Sequence, residues 1–225
     1  MSPNLQTKQT FKQPVTHNAK LNYWLHLPKD YRDEGNPWPV ILFLHGSGER
    51  GSNLKLVMKH GIPKIAAQDP EMPFICISPQ CPSHSWWILH LDELMALVDD
   101  VLATHNADRN RVYLTGASMG GNGTWALAYR FPDRFAAIAP ICGHDLFITG
   151  VTENPAKLKH LPIWAFHGAA DPIVPIYESA ALCDEFRSLG ANVQFTVYPF
   201  ADHDSWSETY SNPEFYRWLL SQRLR

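Results

Sequence analysis

Two kinds of hydrophobic pattern follow one another along the chain. Leu21, Tyr23, Leu25 and Leu27 alternate with Asn22, Trp24 and His26, a period of two that predicts an early edge strand with one face buried and the other partly exposed. Six later short runs read as apolar without alternation: Val40–Leu44, Phe74–Ser78, Val112–Thr115, Ala136–Pro140, Ile163–Phe166 and Val193–Tyr198. Strands that are apolar at every position are covered on both faces, as in a parallel sheet. Helical patterns fall between them. Leu91, Leu94, Met95, Val98, Val101 and Leu102 share one helix face, with Asp92 and Glu93 in the first turn and His105 just past the last. A second helix is predicted over Ile176–Leu189, stopped by Gly190, and Asn212-Pro213-Glu214 opens a last one through Leu220 with an N-cap, a first-turn proline and a favourable acid. Strands alternating with helices predict an open, mostly parallel, doubly wound α/β sheet with helices on both faces and reactive loops at the carboxyl ends of the strands. No repeat, low-complexity tract or linker interrupts the rhythm. The expectation is a single domain over residues 1–225, with 1–18 as an amino-terminal extension or edge strand.

Charge narrows the range of partners. Nineteen basic residues stand against 22 acidic ones with no basic run, which gives no electrostatic footprint for nucleic acid or an anionic membrane. The first twenty residues lack the continuous apolar stretch of a secretory signal, and no segment reaches membrane-spanning length. A cytoplasmic protein without membrane insertion is therefore expected. Cys76, Cys81, Cys142 and Cys183 have no paired CxxC spacing and read as free, partly buried thiols, not as a zinc or redox site.

The chemistry is carried by Gly116-Ala117-Ser118-Met119-Gly120, a GxSxG between a predicted strand and a predicted helix. A serine on such a turn sits in a strained conformation and projects its hydroxyl above the sheet, and the glycines let strand and helix backbones crowd together. A serine hydroxyl needs a base, and the base needs an acid that fixes its tautomer and stabilises the imidazolium. The chain order on this kind of fold is serine, then acid, then histidine. His203 is the only histidine beyond His167, and Asp171 lies in a loop shortly after the strand ending near Phe166. The candidate triad is Ser118, Asp171 and His203. Asp202 and Asp204 flank His203 but cannot easily turn a carboxylate onto their own neighbour's ring, and Glu178 falls inside a helix. His167 and His144 precede Asp171 and read as loop-bracing residues. A metal site built on His144, Asp202, His203 and Asp204 lacks any recognised ligand spacing.

The segment "LFLHGSGERGSN", Leu42–Asn53, contains GxGxxG after an apolar run, the spacing of a dinucleotide fingerprint. That reading requires an acid closing the next strand, for the ribose hydroxyls. The next run ends in Ser78-Pro79-Gln80 instead, and Glu49 would repel a phosphate. A tetrahedral intermediate on Ser118 needs two amide donors, one from the residue after the nucleophile and one from a loop after an earlier strand. Met119 and Ser47 are the candidates, which makes His45-Gly46-Ser47-Gly48 an oxyanion loop. His45 is expected to brace it, and Glu49 and Arg50 to pair and stiffen it.

With "LHGSGERG", "SPQCP" followed by Trp86-Trp87, "RVYLTGASMGGNGTWALA", "FPDRFAAIAPICGH", "HGAADPIVP" and "HDSW", the chain resembles the α/β-hydrolase superfamily. Within it, the likeness is to small esterases of the phospholipase/carboxylesterase and predicted-peptidase type, related to the dienelactone hydrolases. The dienelactone branch itself matches poorly, because it uses a cysteine where this chain has Ser118. The resemblance implies a carboxylic-ester hydrolase with Ser118 as nucleophile, Asp171 and His203 as its partners, a small-molecule ester as substrate and no cofactor. About two dozen residues separate the strands near Pro140 and Ile163, too few for a substantial lid domain, so an open site is expected. Trp86, Trp87 and Trp206 are candidates for a pocket wall, against the alternative of plain core. The same machinery would serve a peptidase or an acyl-thioesterase. A silent hydrolase fold used for binding would show a replaced triad position, and none is replaced.

Overall fold

The computed structural model describes residues 18–69, 71–144 and 154–224. Apart from Asn18, the expected amino-terminal extension or edge strand at 1–18 lies outside the described residues, as does part of the stretch between Pro140 and Ile163.

Seven strands form one sheet: β1 Tyr23–His26, β2 Trp38–Leu44, β3 Ile75–Pro79, β4 Ala107–Ala117, β5 Ala137–Ile141, β6 Ile163–Gly168 and β7 Val193–Tyr198. They lie in the order β1-β3-β2-β4-β5-β6-β7, and every pairing is parallel except the antiparallel edge pair β1 and β3. The helices are α1 Gly61–Ala66, α2 Leu91–Thr104, α3 Met119–Arg130, α4 Ile176–Ser188, α5 Trp206–Ser211 and α6 Pro213–Ser221.

Side-chain alternation along the strands feeds two cores. Val40, Leu42 and Leu44 of β2, with Val112 and Leu114 of β4, pack against α2, α3 and α4 through Leu94, Val98, Trp125 and Phe186. Ile41, Phe43 and Tyr113 point to the opposite face and meet Ile62, Tyr210, Phe215 and Leu219 of α1, α5 and α6. Because both faces are covered, every second residue of a central strand must also be apolar. This two-sided burial is why those strands showed no polar alternation.

Strand β7 departs from that expectation. It is an edge strand with only Tyr198 buried, and Gln194 and Thr196 are the polar positions that a one-sided cover permits. The sequence pattern also missed α1 and α5, each six residues long, too short to display a helical period. No lid domain stands over the sheet among the described residues, and none of their helices is long and apolar enough to cross a membrane. All four cysteines are buried and free.

The order of the strands decides where a site can form. β2 connects outward to β3 in one direction and β4 lies on its other side, so the chain reverses its winding between β2 and β4. In open α/β sheets a crevice opens at such a reversal, outside the carboxyl ends of the strands. Leu44 pairs with Gly116 there, which sets the loop after β2 beside the turn after β4.

Candidate active site

Ser118 stands between β4 and α3 with φ 56° and ψ −117°. A residue with a Cβ holds such a backbone only where its surroundings enforce it, at a cost of about 1–3 kcal/mol. Glycines on both sides supply the enforcement. A Cβ on Gly116 would lie 2.5 Å from the Gly120 carbonyl oxygen and 2.6 Å from that of Leu44, and one on Gly120 would overlap the Leu44 carbonyl. These contacts are to backbone, so a side chain there would push β2, β4 and α3 apart. The Ser118 N–H donates to Ile141 O at 2.9 Å, tying the turn to β5.

The three residues of the candidate triad come from three loops and meet above the sheet. His203 Nε2 lies 2.9 Å from Ser118 Oγ, and His203 Nδ1 lies 2.7 Å from Asp171 Oδ2. Asp171 follows β6 and its side chain is fully covered. Its other oxygen, Oδ1, accepts from the amides of Ile173 at 2.8 Å and Val174 at 2.9 Å. Burial is the largest influence on this carboxyl and works to raise its pKa. The hydrogen bond from His203 and the two amides together outweigh it, so the group is held below the ordinary carboxylate value. It therefore stays charged opposite the imidazole.

Two loops are held in register at this point. Ala169 N donates to Tyr198 O at 2.9 Å and Ala170 N to Ala201 O at 3.0 Å, so the Asp171 loop is laced to the His203 loop. A Cβ on Gly168 would strike the carbonyls of Ala201 and Asp202, which is why that loop starts on a glycine. His167, fully buried, braces the acid from behind. Its Nε2 donates to Val174 O at 2.9 Å with Asp171 Oδ2 3.2 Å away, while Nδ1 meets Ser179 Oγ, which in turn donates to Gly143 O. His144 pairs with Asn122 through its ring and its amide. Asp202 accepts from the amide of Asp204 in its own loop, and Asp204 from the amide of Ser207 in the first turn of α5.

The loop after β2 lies across the crevice. His45 is buried, and its Nε2 accepts from the Cys81 amide at 3.0 Å, which leaves the ring proton on Nδ1 to donate to Gly46 O at 2.6 Å. Burial pushes its pKa down to about 4. Trp87 completes the brace: its indole N–H donates to His45 O at 2.9 Å and its ring packs edge-on against the imidazole. Neither Ser47 N–H nor Met119 N–H donates to a backbone carbonyl among the described residues. For Met119 this follows from its place in the first turn of α3, where amides lack intrahelical partners.

The expected pairing of Glu49 with Arg50 does not occur. Arg50 donates to Ser47 O and Ser85 O and lies over the Trp86 ring, 5.1 Å from its centroid, because backbone carbonyls on both sides of the loop offer it partners. Glu49 turns the other way. The three tryptophans also separate. Trp87 is core, Trp86 is an exposed platform for Arg50, and only Trp206 lines the cavity beside Ser118, its ring 5.4 Å from that of His203.

That cavity, about 200 Å³, is bounded by Ser47, Glu49, Ser118 and His203 on its polar side and by Phe43, Val57, Trp206 and Tyr210 on its apolar side. Val57, His60 and Tyr210 escaped the sequence reading because nothing in their local pattern marks them. Val57 comes from the 3-10 turn Leu54–Lys59, His60 from the residue that caps α1, and Tyr210 from α5.

A doubly wound sheet with a strained serine after a central strand, and an acid and a histidine delivered by later loops, is the architecture of the α/β-hydrolases. Residues 89–212 match the family model described as phospholipase/carboxylesterase, and the chain belongs to that family. The matched stretch contains Ser118, Asp171 and His203 and excludes the loop after β2. A thermostable esterase of known structure is 33% identical and superposes over 95% of this chain and 61% of its own with a TM-score of 0.82. The chain is 47% identical over 127 residues to poly(3-hydroxyalkanoate) depolymerase C of Paucimonas lemoignei, covering 50% of this chain and 30% of that protein. It is 26% identical over 222 residues to probable feruloyl esterase C of Aspergillus niger, covering 92% and 76% respectively. Four of the curated relatives are much longer, and the chain spans only 13% to 41% of their length.

Proposed function

We propose that this protein is a serine carboxylesterase that hydrolyses small carboxylic esters through an acyl-enzyme. Ser118 Oγ attacks the ester carbonyl while His203 Nε2 takes its proton. Asp171 holds Nδ1–H and stabilises the imidazolium that forms. The negative charge that develops on the carbonyl oxygen is held by the N–H groups of Ser47 and Met119, the second of them at the positive end of α3. His203 then returns the proton to the leaving alcohol, and water, activated by the same imidazole, releases the acid. No step needs a cofactor or a metal.

The observation that carries this reading is the hydrogen-bonded series from Asp171 through His203 to Ser118, with links of 2.7 and 2.9 Å, ending at a cavity of acyl-group size. The esterases among the relatives support the choice of ester over other acyl compounds. A fluorophosphonate probe is expected to label Ser118, and turnover of a short-chain nitrophenyl ester is expected to vanish in Ser118→Ala. Parallel amide and thioester substrates should turn over more slowly. Undiminished ester hydrolysis by the Ala variant would end the proposal.

A further inference from the structure

The cavity beside Ser118 contains a carboxyl group that no step of the hydrolysis uses. Glu49 is only 12% exposed at its side chain. A Cβ placed on Gly46 would stand 3.4 Å from Glu49 Oε2 and 3.8 Å from Ser118 Cβ, so the carboxyl and the nucleophile flank the same glycine. Its nearest ring, His45, is 3.9 Å away and already gives its Nδ1 proton to Gly46 O. Arg50, the adjacent cation, is turned to carbonyls outside the cavity. Gln80 Nε2 donates to the Glu49 backbone carbonyl at 2.8 Å, but no side chain among the described residues donates a hydrogen bond to the Glu49 carboxyl. Burial is the main influence on the group and raises its pKa, partly offset by His60, which lines the cavity, by Lys59 and by the amides of Gly46 and Glu49. The remaining walls, Phe43, Val57, Trp206 and Tyr210, offer an occupant mainly apolar surface.

A plain alkyl chain filling this space would strip water from Glu49 and give it nothing in return. An acyl group with a hydroxyl would donate to the carboxyl and rest its carbons on the aromatic walls. A site containing a desolvated hydrogen-bonding group discriminates against the analogue that leaves it unpaired. The leaving oxygen must face His203 Nε2, which protonates it, whereas Glu49 sits on the loop after β2 across the crevice, so the part of the ester nearest Glu49 is the acyl chain. Resting on the reading of Ser118 as nucleophile, we propose that Glu49 is a specificity residue and that this cavity selects short hydroxyacyl groups over unsubstituted ones.

The test uses the whole protein and two nitrophenyl esters with the same leaving group, butyrate and 3-hydroxybutyrate. The ratio of their kcat/KM values is expected to favour the hydroxyacyl ester by roughly tenfold. Glu49→Leu should abolish that ratio and Glu49→Gln, whose amide oxygen still accepts, should keep much of it. A wild-type ratio at or below one overturns the inference, as does a ratio unchanged by Glu49→Leu, since a merely structural Glu49 would lower both rates together. A hydroxyl preference that appears only when it is placed on the alcohol, in glycol monobutyrate against propyl butyrate, overturns the acyl assignment. Turnover that depends on Ser118 but shows no preference sinks this inference alone, whereas turnover independent of Ser118 sinks the hydrolase reading and this one with it.

Discussion

Replacing Asp171 with asparagine tests the proposed mechanism at one atom. Oδ1 accepts from the amides of Ile173 and Val174 at 2.8 and 2.9 Å, and Oδ2 faces His203 Nδ1 at 2.7 Å and His167 Nε2 at 3.2 Å. An asparagine can keep only one of these sides. With its oxygen toward the two amides, its NH2 meets Nδ1 of His203, which relieves the conflict by moving its proton to Nε2. In the flipped orientation the NH2 would confront two backbone donors that have no such freedom, so the first orientation wins. Nε2 then presents a hydrogen to Ser118 Oγ where a lone pair is needed, and the base is disabled without moving a heavy atom. A loss of about 10⁴ in kcat is expected, equivalent to roughly 5 kcal/mol of barrier. Stability should fall by only about 1 kcal/mol, from the poor contact with His167. Asp171→Ala orphans both backbone amides and should cost about 1–3 kcal/mol more in stability. Steady-state kinetics on a nitrophenyl ester, with urea melts of both variants, make the comparison. An Asn variant within tenfold of the wild-type kcat would refute the role given to Asp171.

Two other outcomes follow from the geometry. His45 has its pKa lowered to about 4 from 6.5 by burial, so below pH 6.5 the unfolded chain binds a proton that the native one does not. Stability contributed by neutral His45 is complete above 6.5 and is lost as pH falls toward 4, by about 3 kcal/mol in all; urea melts of wild type and His45→Gln across this window should show the steeper acid decline only in the wild type, and parallel curves would contradict it. At Ser118, whose φ is 56°, glycine relieves the strain that alanine keeps, so Ser118→Gly should melt higher than the equally inactive Ser118→Ala by roughly 1 kcal/mol, and the reverse order would show that the turn is not strained.

Much of the architecture was legible in the order of residues because local chemistry dictates it. Runs such as Val40–Leu44 and Phe74–Ser78, apolar at successive positions, bury both faces as central strands, and an apolar stripe with acids in its first turn buries itself as a helix. GxSxG between the two fixes a nucleophile because only glycine allows the backbone approach that such a turn demands. Chain order then limits which acid and histidine can follow, since each strand end delivers one loop. Other features depend on neighbours distant in sequence. β7 groups in sequence with the central strands although Gln194 and Thr196 alternate along it, and among the described residues it pairs with β6 alone and so forms an edge. Arg50 leaves Glu49 because carbonyls of Ser47 and Ser85 compete for its guanidinium, and Ser85 is brought there by the turn after β3. Val57, His60 and Tyr210 reach the cavity only when the turn Leu54–Lys59, the cap of α1 and α5 come together beside it. The sequence by itself determined the strand and helix grammar and the candidate chemical groups. Only the tertiary structure decided the cavity walls and the inward carboxyl of Glu49, because pocket shape and hydrogen-bond competition arise from contacts that local patterns do not encode.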